Sequence, residues 1–234
     1  MKTLLLFGLM IALASPLHAQ DRSSGPAERA TAASATSAQW LPQYDWVSQL
    51  KKHLPDWFSF GGHYRGRVEG QTGRQFQPGN DNYYYLSQFR LDLKFRLSSH
   101  FHLFLEGQDS HAPNLDLHPH PSNFQNSFDL RQGYLEAHFG GAKVIGFQLG
   151  RQEMLFGEDR LIGAGNWGNS SRSFDAARLY LSTPSTRVDI LAASLVRIRD
   201  GAFDSSQFKG NSLFGAYGSL RNLVRRSTIE PFFF

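Results

Sequence analysis

The chain has no cysteine in 234 residues, so disulfides, thiolate metal ligands and cysteine nucleophiles are all unavailable to it. It also lacks any apolar run near the ~20 residues that a membrane-spanning helix needs. The longest run, Leu4 to Ala14, follows Lys2 and precedes Leu17-His18-Ala19. That is the layout of a secretory signal cleaved before Gln20. No nucleophile elbow, HExxH pair or phosphate-binding glycine loop is present, and no cofactor is implied. The formal charge of +4 and the pI of about 9.4 are not built from a basic block. Basic residues alternate with apolar ones, which argues against nucleic acid as a partner.

Aromatic residues and glycine are plentiful: 20 Phe, 8 Tyr and 22 Gly, with a mildly negative mean hydropathy. Phe89 to Leu97 reads Phe-Arg-Leu-Asp-Leu-Lys-Phe-Arg-Leu. A strand sends successive side chains to opposite faces, so this segment has one apolar face and one charged face. A soluble sheet buries the apolar face. An outer-membrane barrel turns it to lipid and turns the charged face to a wet lumen.

The rest of the chain favours the second solution. Residues 20–39 are rich in Ala, Ser and Thr without periodicity and read as a disordered linker. Residues 40–57 read as a lead-in, with Trp46, Val47, Leu50 and Leu54 spaced for a short amphipathic helix ending near Pro55. Strands are expected at Phe58–Gly70, Asn82–Leu97, Phe101–Gln108, Leu130–Phe139, Val144–Gln152, Ser173–Leu181, Arg187–Arg197, Ser212–Leu220 and Ser227–Phe234. The connections alternate long and short throughout, as in barrels with short periplasmic turns and long external loops. The expected fold class is therefore all-β, an antiparallel transmembrane β-barrel with about nine strands present. An odd strand count leaves an open edge, which lipid penalises. With Pro231 inside the last strand, this gives the expectation of a truncated product or partial sequence.

One stretch carries a more specific signal. Gly150-Arg151-Gln152-Glu153 leads through Phe156-Gly157-Glu158-Asp159-Arg160-Leu161-Ile162-Gly163 to Asn166-Trp167-Gly168-Asn169 and then Arg172-Ser173-Phe174-Asp175. This resembles the alginate-export family of Gram-negative outer-membrane proteins. Gln88 to Leu97 and Asp129 to Glu136 resemble it too. The resemblance implies an eighteen-stranded barrel, of which this chain covers the N-terminal half, and an arginine-lined lumen conducting an anionic uronate polysaccharide.

Passing a polyanion needs fixed positive charge along the water path, and arginine engages carboxylates through a planar, permanently charged fork. Alternation selects Arg65, Arg67, Arg90, Lys94 and Arg96 as inward-facing, while the resemblance adds Arg151, Arg160, Arg172 and Arg178. A wet lumen also carries such residues as ordinary fillers beside Glu69, Asp92, Glu106 and Glu136. His63, His102 and His138 fall on the same face. His118-Pro119-His120 with Asp116 and His111 invites a metal reading, but the segment is a proline-punctuated solvated loop, and no metal is expected. The expected partners are an anionic polysaccharide or oligosaccharide, outer-membrane lipid and periplasmic export proteins. The rival readings are a general or small-anion porin and a structural or adhesive barrel.

Overall fold

The computed structural model describes residues 52–116, 123–141, 144–222 and 227–234. The expected signal (1–19), the linker (20–39) and residues 40–51 of the lead-in lie outside them, as do His118 and His120. The strands are β1 (Phe58–Gln71), β2 (Asn82–Arg96), β3 (Phe101–His111), β4 (Asn126–Phe139), β5 (Val144–Gln152), β6 (Phe174–Ser182), β7 (Thr186–Arg197) and β8 (Ser206–Arg221), followed by two short pieces, β9 (Thr228–Ile229) and β10 (Phe232–Phe233). Strands β1 to β8 lie in chain order, each antiparallel to the next, and β9 and β10 both pair with β8. The single sheet is open, with β1 at one edge and the β9/β10 segment at the other.

The last expected strand is thus present only in two fragments, separated by Glu230 and Pro231. Proline has no N–H to give to a ladder, although the Pro231 carbonyl still accepts a bond from Gly218 N at 2.8 Å. Strand β8 starts six residues earlier than the pattern suggests and β4 starts four earlier. Both extensions lie at the long-loop end.

The alternation read from Phe89 to Leu97 governs the whole sheet. Phe89, Leu91, Leu135, Ile145, Phe147, Leu149, Leu179, Leu181, Ile190 and Phe214 are exposed on one face. Gln88, Gln108, Asp129, Arg131, Gln148, Arg178 and Asp189 are buried on the other. A soluble sheet would have these reversed. Apolar outside and polar inside, with aromatics such as Trp57, Phe101 and Phe139 near one end and Tyr64, Tyr83 and Phe128 toward the other, is the pattern of a barrel wall in lipid.

Long connections (72–81, 112–125, 153–173 and 198–205) gather at one end and short ones (97–100, 140–143, 183–185 and 222–227) at the other. The longest, 153–173, folds over the polar face, here called the inner face. Its Phe156 meets Tyr217 of β8 with ring centroids 4.8 Å apart, and its Asn166 carbonyl takes a bond from Arg65 of β1. The loop therefore touches both ends of the strand order, and the sheet wraps round it.

Two local devices shape the inner face. Glu106 pairs with Gln132 while Gly107 pairs with Leu130, so Arg131 is the extra residue of a β-bulge. The bulge brings Arg131 to the inner face although strict alternation would send it out. On β5, the place where a Gly146 side chain would stand is filled by the Tyr180 ring, so only glycine fits there.

Candidate functional site

The inner face divides under the inward loop. Against β6, β7 and β8, the limb Met154–Ile162 builds an apolar cluster of Met154, Phe156, Ile162, Phe174, Ala176, Leu191, Ala193 and Tyr217, with Leu195 and Leu213 packed beside it. A bridge between Phe156 and Ile162 closes this limb into a small hairpin, whose tip turns through Gly157, Glu158 and Asp159 at positive φ.

Against β1 to β4, the second limb, 166–173, is held by polar groups. Arg65 donates to the Asn166 and Gly168 carbonyls at 2.9 and 2.5 Å, and Arg67 donates to the Trp167 carbonyl at 2.9 Å. Arg90 reaches Ser171 Oγ at 2.5 Å and Gln108 Oε1 at 2.7 Å. Arg131 donates to the Ser171 carbonyl at 2.7 Å and the Arg172 carbonyl at 3.2 Å. Gln88 donates to the Asn169 carbonyl, and Ser110 does so at 2.9 Å. The Asn169 amide, itself fully buried, returns bonds of 2.9 Å to the carbonyls of Ser87, His111 and Phe124.

Acids balance part of this charge. Glu153 sits between Arg131 and Arg90, the latter at 3.7 Å, and Glu106 lies 3.5 Å from Arg131 Nε. Glu69 pairs with Arg67 at 2.6 Å. Beyond the loop, Arg178 and Arg187 share the buried Asp189, at 2.8 and 2.9 Å. Glu136 accepts from Tyr180 at 2.7 Å and from Gln148 at 3.2 Å. His102 and His138 stack face to face, 4.9 Å apart, on the same side.

The nine expected cations thus occupy four situations. Arg65, Arg67 and Arg90 are latches on loop backbone or its hydroxyl. Arg178 is locked into the Asp189 pair. Arg151 stands apart: its register partners Gly133 and Asp175 place it on the outer face, where it forks onto Asp175 at 2.8 and 3.3 Å. The resemblance groups it with the inward set, but strand alternation from Leu149 sends it out. The remaining residues stay accessible. Lys94 is half-exposed, 3.9 Å from Asp92, and Arg160 pairs with exposed Glu158 at 3.1 Å and donates to the Gly157 carbonyl at 3.3 Å. Arg96 and Arg172 are exposed without an ion pair among the described residues. Ser171 and Ser173 on either side of Arg172 are buried against the wall, so Arg172 points away from it.

Arg131 is the inner-face cation that alternation misses. The sequence does carry its trace, because Arg131-Gln132 puts two polar residues in succession in an otherwise alternating strand, the mark of a bulge. The metal reading gains nothing from the part that is described: His111 pairs with Asp109 at 3.0 Å, and no group of three ligands occurs among the described residues.

Neither a curated protein nor a solved structure significantly matches the chain. A family model described as alginate export matches residues 56–234, which includes every strand of the sheet. With an all-β sheet whose apolar side faces outward, this chain belongs to the alginate-export family of outer-membrane proteins.

Proposed function

We propose that this chain builds the wall of an outer-membrane conduit that passes an anionic uronate polysaccharide, or its oligomers, along a basic inner face and without a cofactor. The observation that carries this reading is the polarity of the sheet. Apolar residues such as Leu149, 53 % exposed, cover one face, while arginine, glutamine and acid networks cover the other. Such a wall is stable only with lipid outside and water or polar solute inside. The family supplies the substrate class. On this reading the short turns face the periplasm, where export proteins would hand over the polymer, and the long loops face outward.

A conduit must hold its cargo weakly enough to release it. Latched arginines serve that end poorly because their donors are already committed. Accessible Lys94, Arg96, Arg160 and Arg172 are the residues that meet the polymer, while Arg65, Arg67, Arg90 and Arg178 set the shape and field of the path.

Reconstitution of the chain in planar bilayers tests the reading. The expected result is an anion-preferring conductance that defined uronate oligomers block. Conductance indifferent to uronates would favour a small-anion porin, and a folded protein with no conductance would favour a structural or adhesive barrel.

A further inference from the structure

Trp167 is the large aromatic residue that the inner-face loop leaves uncovered. The residue is 66 % exposed, although the backbone that carries it is held by several hydrogen bonds. The carbonyls of residues 166, 167 and 168 all accept arginine donors. The amides of Asn169 and Ser170 both donate to the Asn123 carbonyl at 2.8 Å. The ring is therefore presented, not merely left over.

One side of the indole is occupied by a cation. The Arg67 guanidinium lies 4.6 Å from the ring centroid, held in place by Glu69 and the Trp167 carbonyl. Among the described residues no other aromatic ring meets it. Nor is this a lipid-interface tryptophan: Arg67 lies on the inner face, while its strand neighbours Tyr64 and Val68 point outward, each more than 60 % exposed.

A pyranose ring has an apolar C–H face that stacks on an aromatic plane, and a uronate adds a carboxylate at the ring edge. The indole matches the first, and the positive field of Arg67 and Arg65, whose donors are committed to the loop and Glu69, favours the second without a direct bond. Because loop and ring are already fixed, little ordering cost remains for the ligand to meet. Resting on the uronate-conduit reading above, we propose that Trp167, braced by Arg67, is a stacking subsite for a uronate sugar ring at the long-loop end of the inner face. A neutral sugar would gain only the stacking and a non-sugar polyanion only the charge.

Calorimetric titration of the purified chain in detergent tests this, with a defined oligouronate, maltohexaose and polyglutamate as probes. Trp167→Ala should weaken oligouronate binding ~10-fold and Trp167→Phe less than ~3-fold, in keeping with the range of aromatic stacking on planar ligands. Polyglutamate affinity should be unchanged by Trp167→Ala, and maltohexaose should bind more weakly than the oligouronate. Oligouronate affinity that survives Trp167→Ala overturns the subsite and leaves the conduit reading standing. Equal loss of polyglutamate affinity in that variant also overturns it, since it would mean that the loop had moved. An unsubstituted chain with no oligouronate affinity overturns both.

Discussion

The two limbs of the 153–173 loop dock on the same sheet by opposite physics. Met154, Phe156 and Ile162 sink into an apolar cluster on β6 to β8, while 166–173 hang from arginine and glutamine donors on β1 to β4, and the limb's own Asn169 donates back to the carbonyls of Ser87, His111 and Phe124. Apolar burial scales with area and is indifferent to direction, so the first limb supplies stability without fixing a precise position. Hydrogen bonds to carbonyls are directional and costly to leave unmade, so the second limb supplies position. On the conduit reading proposed above, the loop needs both, because stability alone would let it slide and close the path.

Substitution should separate the limbs, and the largest effect is expected from the apolar one. Phe156 is 2 % exposed, and Phe156→Ala should cost ~3–5 kcal/mol in denaturant unfolding of the detergent-folded protein. Phe156→Leu should recover most of that loss, because volume and apolarity are what this limb uses. On the polar side, Arg131→Ala removes the ion pair of Glu106 and leaves Glu153 with Arg90 at 3.7 Å, for ~3–5 kcal/mol when one partner of a buried pair is removed. Here the conservative change should not rescue: Arg131→Lys keeps the charge but loses the fork that spans two carbonyls and two carboxylates. If lysine restores stability as well as leucine does at Phe156, the contrast between the limbs fails.

The outer face is the reference for both. Leu149→Arg should cost ~2–4 kcal/mol if the site lies near the bilayer midplane, measured by unfolding from lipid vesicles. Asn169→Ala should come next, at ~1–3 kcal/mol for the buried carbonyls left without a donor. Its more telling readout is protease access to 163–168, which should rise while the apolar limb stays protected.

These contrasts also mark what was legible in the sequence. Strand positions and facing followed from alternation, because a period of two holds whichever side is buried. The choice of which face meets lipid rested on loop rhythm and the signal, not on the strands themselves. The fate of the arginines was not legible. Arg65 and Arg67 find partners about a hundred residues away in sequence, in Asn166 to Gly168, and no local pattern encodes such a contact. The Arg131 bulge and the outward turn of Arg151 show the same limit from two sides. Alternation is reliable until one extra residue shifts the phase, and a motif match carries residue identity without carrying facing.

The smallest effect on stability should be the most informative about transport. Arg160 and Arg172 are exposed on the loop, so replacing either with alanine should leave stability within ~0.5 kcal/mol. Their consequence belongs to permeation, and they should not be equal. Arg160 has Glu158 at 3.1 Å to cancel part of its field, whereas Arg172 has no ion pair among the described residues and projects from a segment pinned by Ser171. Arg172→Ala should therefore reduce the anion-to-cation permeability ratio, read from bilayer reversal potentials, more than Arg160→Ala does. Both effects should shrink between 0.1 and 1 M salt, as the Debye length falls from ~10 to ~3 Å. A latch variant such as Arg65→Ala should instead change conductance along with selectivity, because it frees the loop as well as removing a charge. If Arg172→Ala alters conductance without altering the permeability ratio, the loop works as a steric constriction and its cations are passengers.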